Sequence, residues 1–303
     1  MKIGFVTAIL DGWSFDEVLD VAKADGFACV EVACWPSGPA ERRYAGVSHL
    51  DVTSADVAWA DDVNSRCRDA GVSISSLGFY PNVMTGDAAA EAAIAHLHRL
   101  IDASAALGVN LVTTFIGRDQ RASVEDNLAR VPAVWKPIMA HAEDAGVRVG
   151  IENCPMLFGP DQWPGGQNLF TTPALWGRIL EDVGSDNLGL NFDPSHFVWQ
   201  MMDYIAPIRD FADRLFHVHI KDIHLDRRRL NQVGTMAYPL DFMTPKLPGH
   251  GDIDWGAFVS ALDDIGYDGP ACIEVEDRAY ETSRERILDS LALSKRYIDQ
   301  FLA

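Results

Sequence analysis

Alternating strand and helix signals along 303 residues predict an α/β fold, a closed (β/α)8 barrel formed by one domain over residues 1–303. Three observations predict it. Short apolar, β-branched runs alternate with segments of helical length and pattern, and eight strand–helix units can be read in order. The helical segments are too long for the links of a β-meander. Four chemistry-bearing residues, Glu152, Asp193, His219 and Glu274, sit near the ends of four successive apolar runs. In a parallel barrel all strand C-termini open on one face, where the loops build the active site. A doubly wound open sheet is the alternative, but no glycine-rich nucleotide fingerprint follows the first strand.

The elements follow in order. Residues 2–7 are the first strand, and Ser14 starts a helix through Ala24 with Glu17 at capping-box spacing. Asp25-Gly26 stops it. Residues 28–34 are the second strand, and 54–70 a helix closed by Gly71. Residues 72–79 are the third strand, and 87–107 an alanine-rich helix closed by Gly108. Residues 110–115 are the fourth strand. A helix over 123–145 contains Pro132 and Pro137, which are expected to kink or break it. The second half repeats the rhythm, with strands at 147–153, 188–193, 215–222 and 270–276. Helices are expected at 172–182, 203–210, 254–265 and 283–302.

Three connections are long, at 35–53, 154–171 and 223–253, and all fall on the face that carries the four residues. They are rich in Trp, Phe, Pro and Gly, as in Trp163-Pro164-Gly165-Gly166. That composition suits an ordered lid, or a contact in a homo-oligomer, better than a solvated linker.

The net charge is −19, and the longest basic run is only Arg227-Arg228-Arg229. Such a chain gains nothing from phosphate electrostatics, so nucleic acid and anionic membranes are not expected partners. Cys29, Cys34, Cys67, Cys154 and Cys272 include no C-x-x-C pair and read as reduced core thiols. The N-terminus enters a strand directly, with no signal peptide, and no apolar run is long enough for a bilayer. The cytoplasm is the expected compartment.

Strand alternation puts His217, His219 and Lys221 on one face, Asn191 and Asp193 on another, and Cys272, Glu274 and Glu276 on a third. Charged groups turned into a barrel must be paired or bound to metal. Three carboxylates and an imidazole suit one divalent ion such as Mn²⁺, Mg²⁺ or Zn²⁺. A structural ion-pair network is the bland alternative, but it would hold many acids and few bases. In Asp193-Pro194-Ser195-His196, Pro194 keeps Asp193 extended. His196 then reaches the same ion or a substrate, and substrate contact is the expectation; capping the next helix is its structural alternative. Lys221 could donate to a substrate hydroxyl or pair with Glu274 or Asp222. Glu31, inside the second strand, could line the cleft or pair within the barrel, and pairing is the expectation. His96 and His98 are expected to be surface or packing residues. Trp35, Tyr80, Phe115 and Trp163 lie at or beyond strand ends, where rings stack on sugars or pack in the core. His250 is expected to reach the site from the long loop.

Five motifs in order, GIEN at 150–153, NFDPSH at 191–196, HVHIKD at 217–222, GHGDIDW at 249–255 and CIEVE at 272–276, make the chain resemble the xylose isomerase-like TIM-barrel superfamily of sugar isomerases and epimerases. Ketose 3-epimerases and inosose-metabolising enzymes belong to it. The resemblance implies one divalent ion, Mn²⁺ favoured over Mg²⁺, Co²⁺ or Zn²⁺, on Glu152, Asp193, His219 and Glu274. It also implies that Glu152 and Glu274 are the acid/base pair; His196, Lys221, His250 and Trp35 are the substrate-contact candidates from their own positions in the chain. Alternation alone leaves Glu276 open as the last ligand; the family match selects Glu274. The implied activity is isomerisation or epimerisation of a sugar or polyol through an enediolate. The alternatives are a lyase of inosose dehydratase or 3-keto C-glycoside deglycosidase type, or a non-catalytic sugar-binding subunit. No phosphate cradle is evident, so a non-phosphorylated substrate is expected. The superfamily's endonuclease branch fits badly, because the ends of the third and fourth strands lack histidines.

Overall fold

A computed structural model describes residues 1–36, 44–157 and 165–302 of the chain. Trp163 therefore lies outside the described residues. Eight parallel strands close a barrel: β1 (Lys2–Val6), β2 (Cys29–Ala33), β3 (Ser73–Gly78), β4 (Leu111–Thr114), β5 (Arg148–Glu152), β6 (Leu188–Phe192), β7 (Leu215–Ile220) and β10 (Pro270–Ile273). Closure comes where β1 pairs with β10, Lys2 opposite Pro270 and Phe5 opposite Ile273. The strands are shorter than the sequence suggests. Their last expected residues, such as Asp193, Glu274 and Glu276, lie just beyond the ladder and are free to aim side chains at the barrel mouth.

The helices are α1 (Phe15–Ala24), α2 (Val57–Ala70), α3 (Ala88–Leu107), α4 (Val124–Asp144), α5 (Pro173–Val183), α6 (Ser195–Val198), α7 (Ala206–Asp210), α8 (Arg227–Val233), α9 (Trp255–Asp264) and α10 (Arg284–Ile298). Their ends follow the expected chemistry. Ser14 and Glu17 form a reciprocal capping box, and Asp56, Asp87, Ser123 and Thr172 accept from the first turns of their helices. Gly71, Gly108 and Gly184 close α2, α3 and α5 in the left-handed conformation.

Two elements go beyond the sequence reading. Of the kink or break expected at Pro132 and Pro137, a break does not occur, and α4 runs as one helix through both. Pro137 is exposed and Pro132 only half-buried, while Leu128, Val131, Trp135, Ile138 and Met139 bury the opposite side. That packing, with Trp135 Nε1 donating to the Ile116 carbonyl at 3.0 Å, carries the helix across the lost bonds. The long connection at 223–253 carries secondary structure of its own. It holds an antiparallel hairpin, β8 (Asp222–Leu225) against β9 (Met243–Lys246), with α8 between them. Ile223, Leu225 and Phe242 give this insertion a small core of its own with Trp199.

Behind β6, Trp176 packs against Phe192, Phe197 and Phe211 with ring centroids 5.8, 5.3 and 5.3 Å apart. This aromatic block fixes the strand that delivers Asp193.

Candidate metal centre and active site

Four side chains meet at the C-terminal mouth of the barrel. Glu152 ends β5, Asp193 follows β6, His219 lies on β7 and Glu274 follows β10. One donor atom from each lies within 4.8 Å of the others. Backbone and side-chain contacts aim them. Asp193 N–H donates to Asn153 Oδ1 at 2.7 Å, and Asn153 Nδ2 returns a bond to the Asp193 carbonyl at 2.9 Å. Ser195 N–H occupies Asp193 Oδ1 at 2.8 Å, which turns Oδ2 into the cluster. Glu274 N–H bonds the Ile220 carbonyl at 3.1 Å, extending the ladder one residue and fixing where its side chain starts.

A buried carboxylate orients the imidazole. Glu31 Oε2 lies 3.0 Å from His219 Nε2, so Nδ1 faces the acids, 3.6 Å from Glu152 Oε1 and 3.4 Å from Glu274 Oε2. A ligating histidine whose other nitrogen donates to a carboxylate is a recurrent arrangement around metals. Glu31 is itself held by the Tyr80 hydroxyl and by Ser76 Oγ at 3.2 Å. Gly78 makes room for it, since a Cβ there would lie 2.7 Å from Glu31 Oε1. Burial pushes the Glu31 carboxyl up, but His219 and His217 outweigh it and hold it below the ordinary value. The neighbouring His217 falls to about 4, chiefly through burial; its Nδ1 lies 2.9 Å from Asn191 Oδ1.

Two cationic groups border the acids. Lys221 Nζ lies 2.9 Å from Asp193 Oδ2, 2.8 Å from Glu274 Oε2 and 3.4 Å from Glu276 Oε2. Burial works to discharge it, but Asp193, Glu274, Glu276 and Glu152 outweigh that and hold its pKa well above the ordinary value. His196 Nε2 lies 3.1 Å from Asp193 Oδ2 and 3.6 Å from Glu152 Oε1. Burial pushes Glu152 and Asp193 up, yet both lie well below the ordinary range, Glu152 through His196 and His219 and Asp193 through Lys221 and His196.

The donors fit a divalent cation. Asp193 Oδ2, His219 Nδ1 and His196 Nε2 are buried, and beyond the ion contacts of Asp193 Oδ2 with Lys221 and His196 no aligned hydrogen bond satisfies them. Such groups are costly unless something coordinates them. A set of three carboxylate oxygens and one imidazole nitrogen suits Mn²⁺, Mg²⁺, Co²⁺ or Zn²⁺. Glu274 belongs to this set. Glu276 sits nearer the rim and meets Lys221 there.

A cavity of about 570 Å³ opens over the cluster. Of the residues expected to face substrate, Trp35, His196 and Lys221 line it. His250 is exposed and absent from its wall, its ring 6.3 Å from that of Tyr280. The reason is local. The Gly249-His250-Gly251 turn wraps the buried Asp222 carboxylate, which accepts from Gly249 N–H at 2.9 Å, Gly251 N–H at 3.3 Å, Ile253 N–H at 3.2 Å and Trp255 Nε1 at 3.0 Å. A Cβ at Gly251 would lie 2.2 Å from Asp222 Oδ1. The motif holds a turn together rather than presenting an imidazole.

Sequence reasoning put Glu31 in an internal pair and missed that this pair orients a candidate ligand. The signal was a lone acid in the wholly buried run Cys29–Ala33. It missed Asn191 as a link between His217 and Tyr80, whose hydroxyl accepts from Asn191 Nδ2 at 3.2 Å. It also missed Trp199, Tyr238 and Met243 in the cavity wall, because the hairpin that carries the last two was not foreseen.

Comparison with known proteins agrees with this fold. The chain belongs to the xylose isomerase-like TIM barrel family, whose model matches residues 19–297. Among curated relatives, it is 26% identical over 182 residues to a ketose 3-epimerase of Arthrobacter globiformis, covering 59% of this chain and 53% of that protein. It is 26% identical over 127 residues to an inosose dehydratase of Lactiplantibacillus plantarum, covering 41% of each. The chain thus spans about half or less of these relatives. Among solved structures, a D-psicose 3-epimerase from Clostridium cellulolyticum H10 with D-tagatose matches at TM-score 0.70 and 16% identity over 100% of this chain and 99% of that one. The IOLI protein with a bound zinc atom matches at 0.72 and 19% over the whole of both. At these identities the structures show the shared fold. No helix among the described residues is long and apolar enough to cross a membrane.

Proposed function

We propose that the protein is a divalent-metal-dependent isomerase or epimerase of a non-phosphorylated sugar or polyol. On this reading it removes a proton from a carbon beside a carbonyl. The observation that carries it is the convergence of four buried or half-buried donors, Glu152, Asp193, His219 and Glu274, at the floor of a substrate-sized cavity. Glu152, Asp193, His219 and Glu274 would hold the ion, with Mn²⁺ favoured. When bound, the ion supplies Lewis-acid polarisation of the carbonyl and offsets negative charge that develops on oxygen.

The chain's own groups do the rest. Glu152 and Glu274 are the acid/base pair; one takes the proton from carbon and gives it up to solvent, and the other, having taken a proton from solvent, delivers that proton to the substrate. Return to the same carbon from the other face gives epimerisation, and return to the neighbouring carbon gives isomerisation. Lys221, already 2.8 Å from Glu274 Oε2, is placed to donate to a substrate oxygen and to stabilise charge there. His196 is a second contact for a substrate hydroxyl. Trp35 covers the cavity from the β2 side and excludes water. The inosose dehydratase relatives favour a second reading, a lyase in which the same proton abstraction is followed by loss of a β leaving group.

Deuterium uptake tests both. Keto sugars and inososes incubated with Mn²⁺-loaded protein in D₂O are expected to gain deuterium beside the carbonyl. An eliminated product distinguishes the lyase. Glu152→Gln and Glu274→Gln, assayed at saturating Mn²⁺, are expected to lose about 10²–10⁴-fold in exchange. Near-normal exchange in both variants would rule out the two-glutamate mechanism.

A further inference from the structure

Beside the four-donor group lies a second cluster of different chemistry. Cys154 Sγ, a ring nitrogen of His196 and a carboxylate oxygen of Glu152 fall within 4.8 Å of one another. The backbone places them. Asn168 Nδ2 donates to the Glu152 carbonyl at 2.9 Å and to the Cys154 carbonyl at 2.7 Å, which ties the two residues together from behind. His196 arrives on α6, just after β6, with its carbonyl accepting from Gln200 Nε2 at 2.6 Å. Of the five cysteines, Cys154 alone is not fully buried, and it lines the cavity together with Glu152 and His196.

The spacing suits a coordination shell. A tetrahedral ion with ligands at roughly 2.0–2.3 Å sets its donors about 3.3–3.8 Å apart. His196 Nε2 lies 3.6 Å from Glu152 Oε1. Only 8% of His196 is exposed, and its Nε2 has ion contacts to Asp193 and Glu152 but no aligned hydrogen bond. Cys154 Sγ accepts from Met156 N–H at 3.3 Å, which fixes the place of the sulfur. A thiol is a weak donor and acceptor, so it offers a sugar hydroxyl little. With imidazole and carboxylate, its deprotonated form suits Zn²⁺ or Co²⁺, whereas Mn²⁺ and Mg²⁺ prefer oxygen-rich sets. The plain alternative is a thiol that only lines the wall while His196 pairs with Asp193 at 3.1 Å. That alternative gives the sulfur no reason to converge with Glu152.

We infer that Cys154, His196 and Glu152 form a second cation site, selective for a thiophilic divalent ion of the Zn²⁺ class, which shares the Glu152 carboxylate with the first. A carboxylate has two oxygens and can serve both sites. Binding sends the thiol proton, and any proton on the imidazole, to solvent. The chain thereby sorts cations, hard ions to the first site and thiophilic ions to the second. Binding at the second site does not depend on which sugar reaction the first site serves.

Equilibrium dialysis of the full chain against Mn²⁺ and against Zn²⁺ tests this. Mn²⁺ is expected to saturate at about one ion per chain and Zn²⁺ at about two. Co²⁺ supplies a spectroscopic readout, since a thiolate ligand gives a sulfur-to-cobalt charge-transfer band in the near ultraviolet. Cys154→Ser is expected to lose that band and one Zn²⁺ while keeping its Mn²⁺. No more Zn²⁺ than Mn²⁺ in the wild type, no cobalt band there, or a band and zinc count unchanged in Cys154→Ser each overturns the inference. The band in the wild type needs no variant, so the test survives if Cys154→Ser fails to fold. In each of those negative outcomes a retained Mn²⁺ leaves the first site standing. A chain that takes no Mn²⁺ yet shows a band lost in Cys154→Ser keeps this second site and loses the proposed function.

Discussion

Replacing the Glu31 carboxylate by an amide preserves its shape and removes the charge that faces His219 Nε2 at 3.0 Å. Oriented partners of this kind typically contribute about 10–100-fold to metal affinity. Glu31→Gln is therefore expected to weaken Mn²⁺ binding by that factor in a chelator competition while far-UV circular dichroism stays unchanged. Unaltered affinity would remove Glu31 from the metal site. A second residue acts on stability. His49 Nδ1 lies 3.0 Å from Thr7 Oγ1 and its Nε2 lies 3.1 Å from the Leu10 carbonyl. Burial lowers its pKa below the ordinary 6.5. The unfolded chain then takes up the proton first as pH falls, so stability is present above about pH 6.5 and is lost as pH drops below it. Urea unfolding at about pH 7.5 and about pH 5.5 should show a smaller acid loss in His49→Gln than in the wild type. At this scale the sequence was readable where a polar residue ended an apolar run, as with Glu152 and Asp193. It was not readable for the link between positions 31 and 219, because no spacing relates them; only closure of the barrel brings them together.

The turn at 249–251 shows how an element can mislead. His250 was expected to reach the site from the long loop, yet the glycines that flank it serve close approach of the backbone to Asp222. Gly251→Ala would force a Cβ to 2.2 Å from both Asp222 Oδ1 and the Ile223 carbonyl. It is expected to cost about 1–3 kcal/mol, as overpacking does, and a urea titration would show it; a variant as stable as the wild type would mean that the turn relaxes freely. Helix caps and strand–helix alternation were legible because each rests on a few adjacent residues. The β8–β9 hairpin was not: its strands are four residues each, and β9 includes Pro245, which argues against a strand on local grounds. The unbroken α4 is the opposite case, in which burial around Trp135 overrides a local proline signal.

Across the molecule, 44 acidic residues face 25 basic ones. Much of this excess lies outside the ion pairs, and self-repulsion opposes the compact state. Raising salt from about 0.02 to about 0.2 M shortens the screening length. It is therefore expected to raise the thermal midpoint by a few degrees in calcium- and magnesium-free buffer with a monovalent salt. A fall in the midpoint would mean that the ion pairs outweigh the repulsion. The pairing that closes the barrel has a consequence for the nascent chain. Lys2 and Pro270 lie opposite each other, with Lys2 N–H donating to the Gly269 carbonyl at 3.0 Å, and are separated by almost the entire sequence. At about 5–20 residues per second of synthesis, the first strand waits roughly 15–50 s for its second partner to leave the ribosome. Until then β1 has only β2 to pair with, and its other edge is open, so Glu274, the last donor to be made, arrives together with the strand that seals the fold.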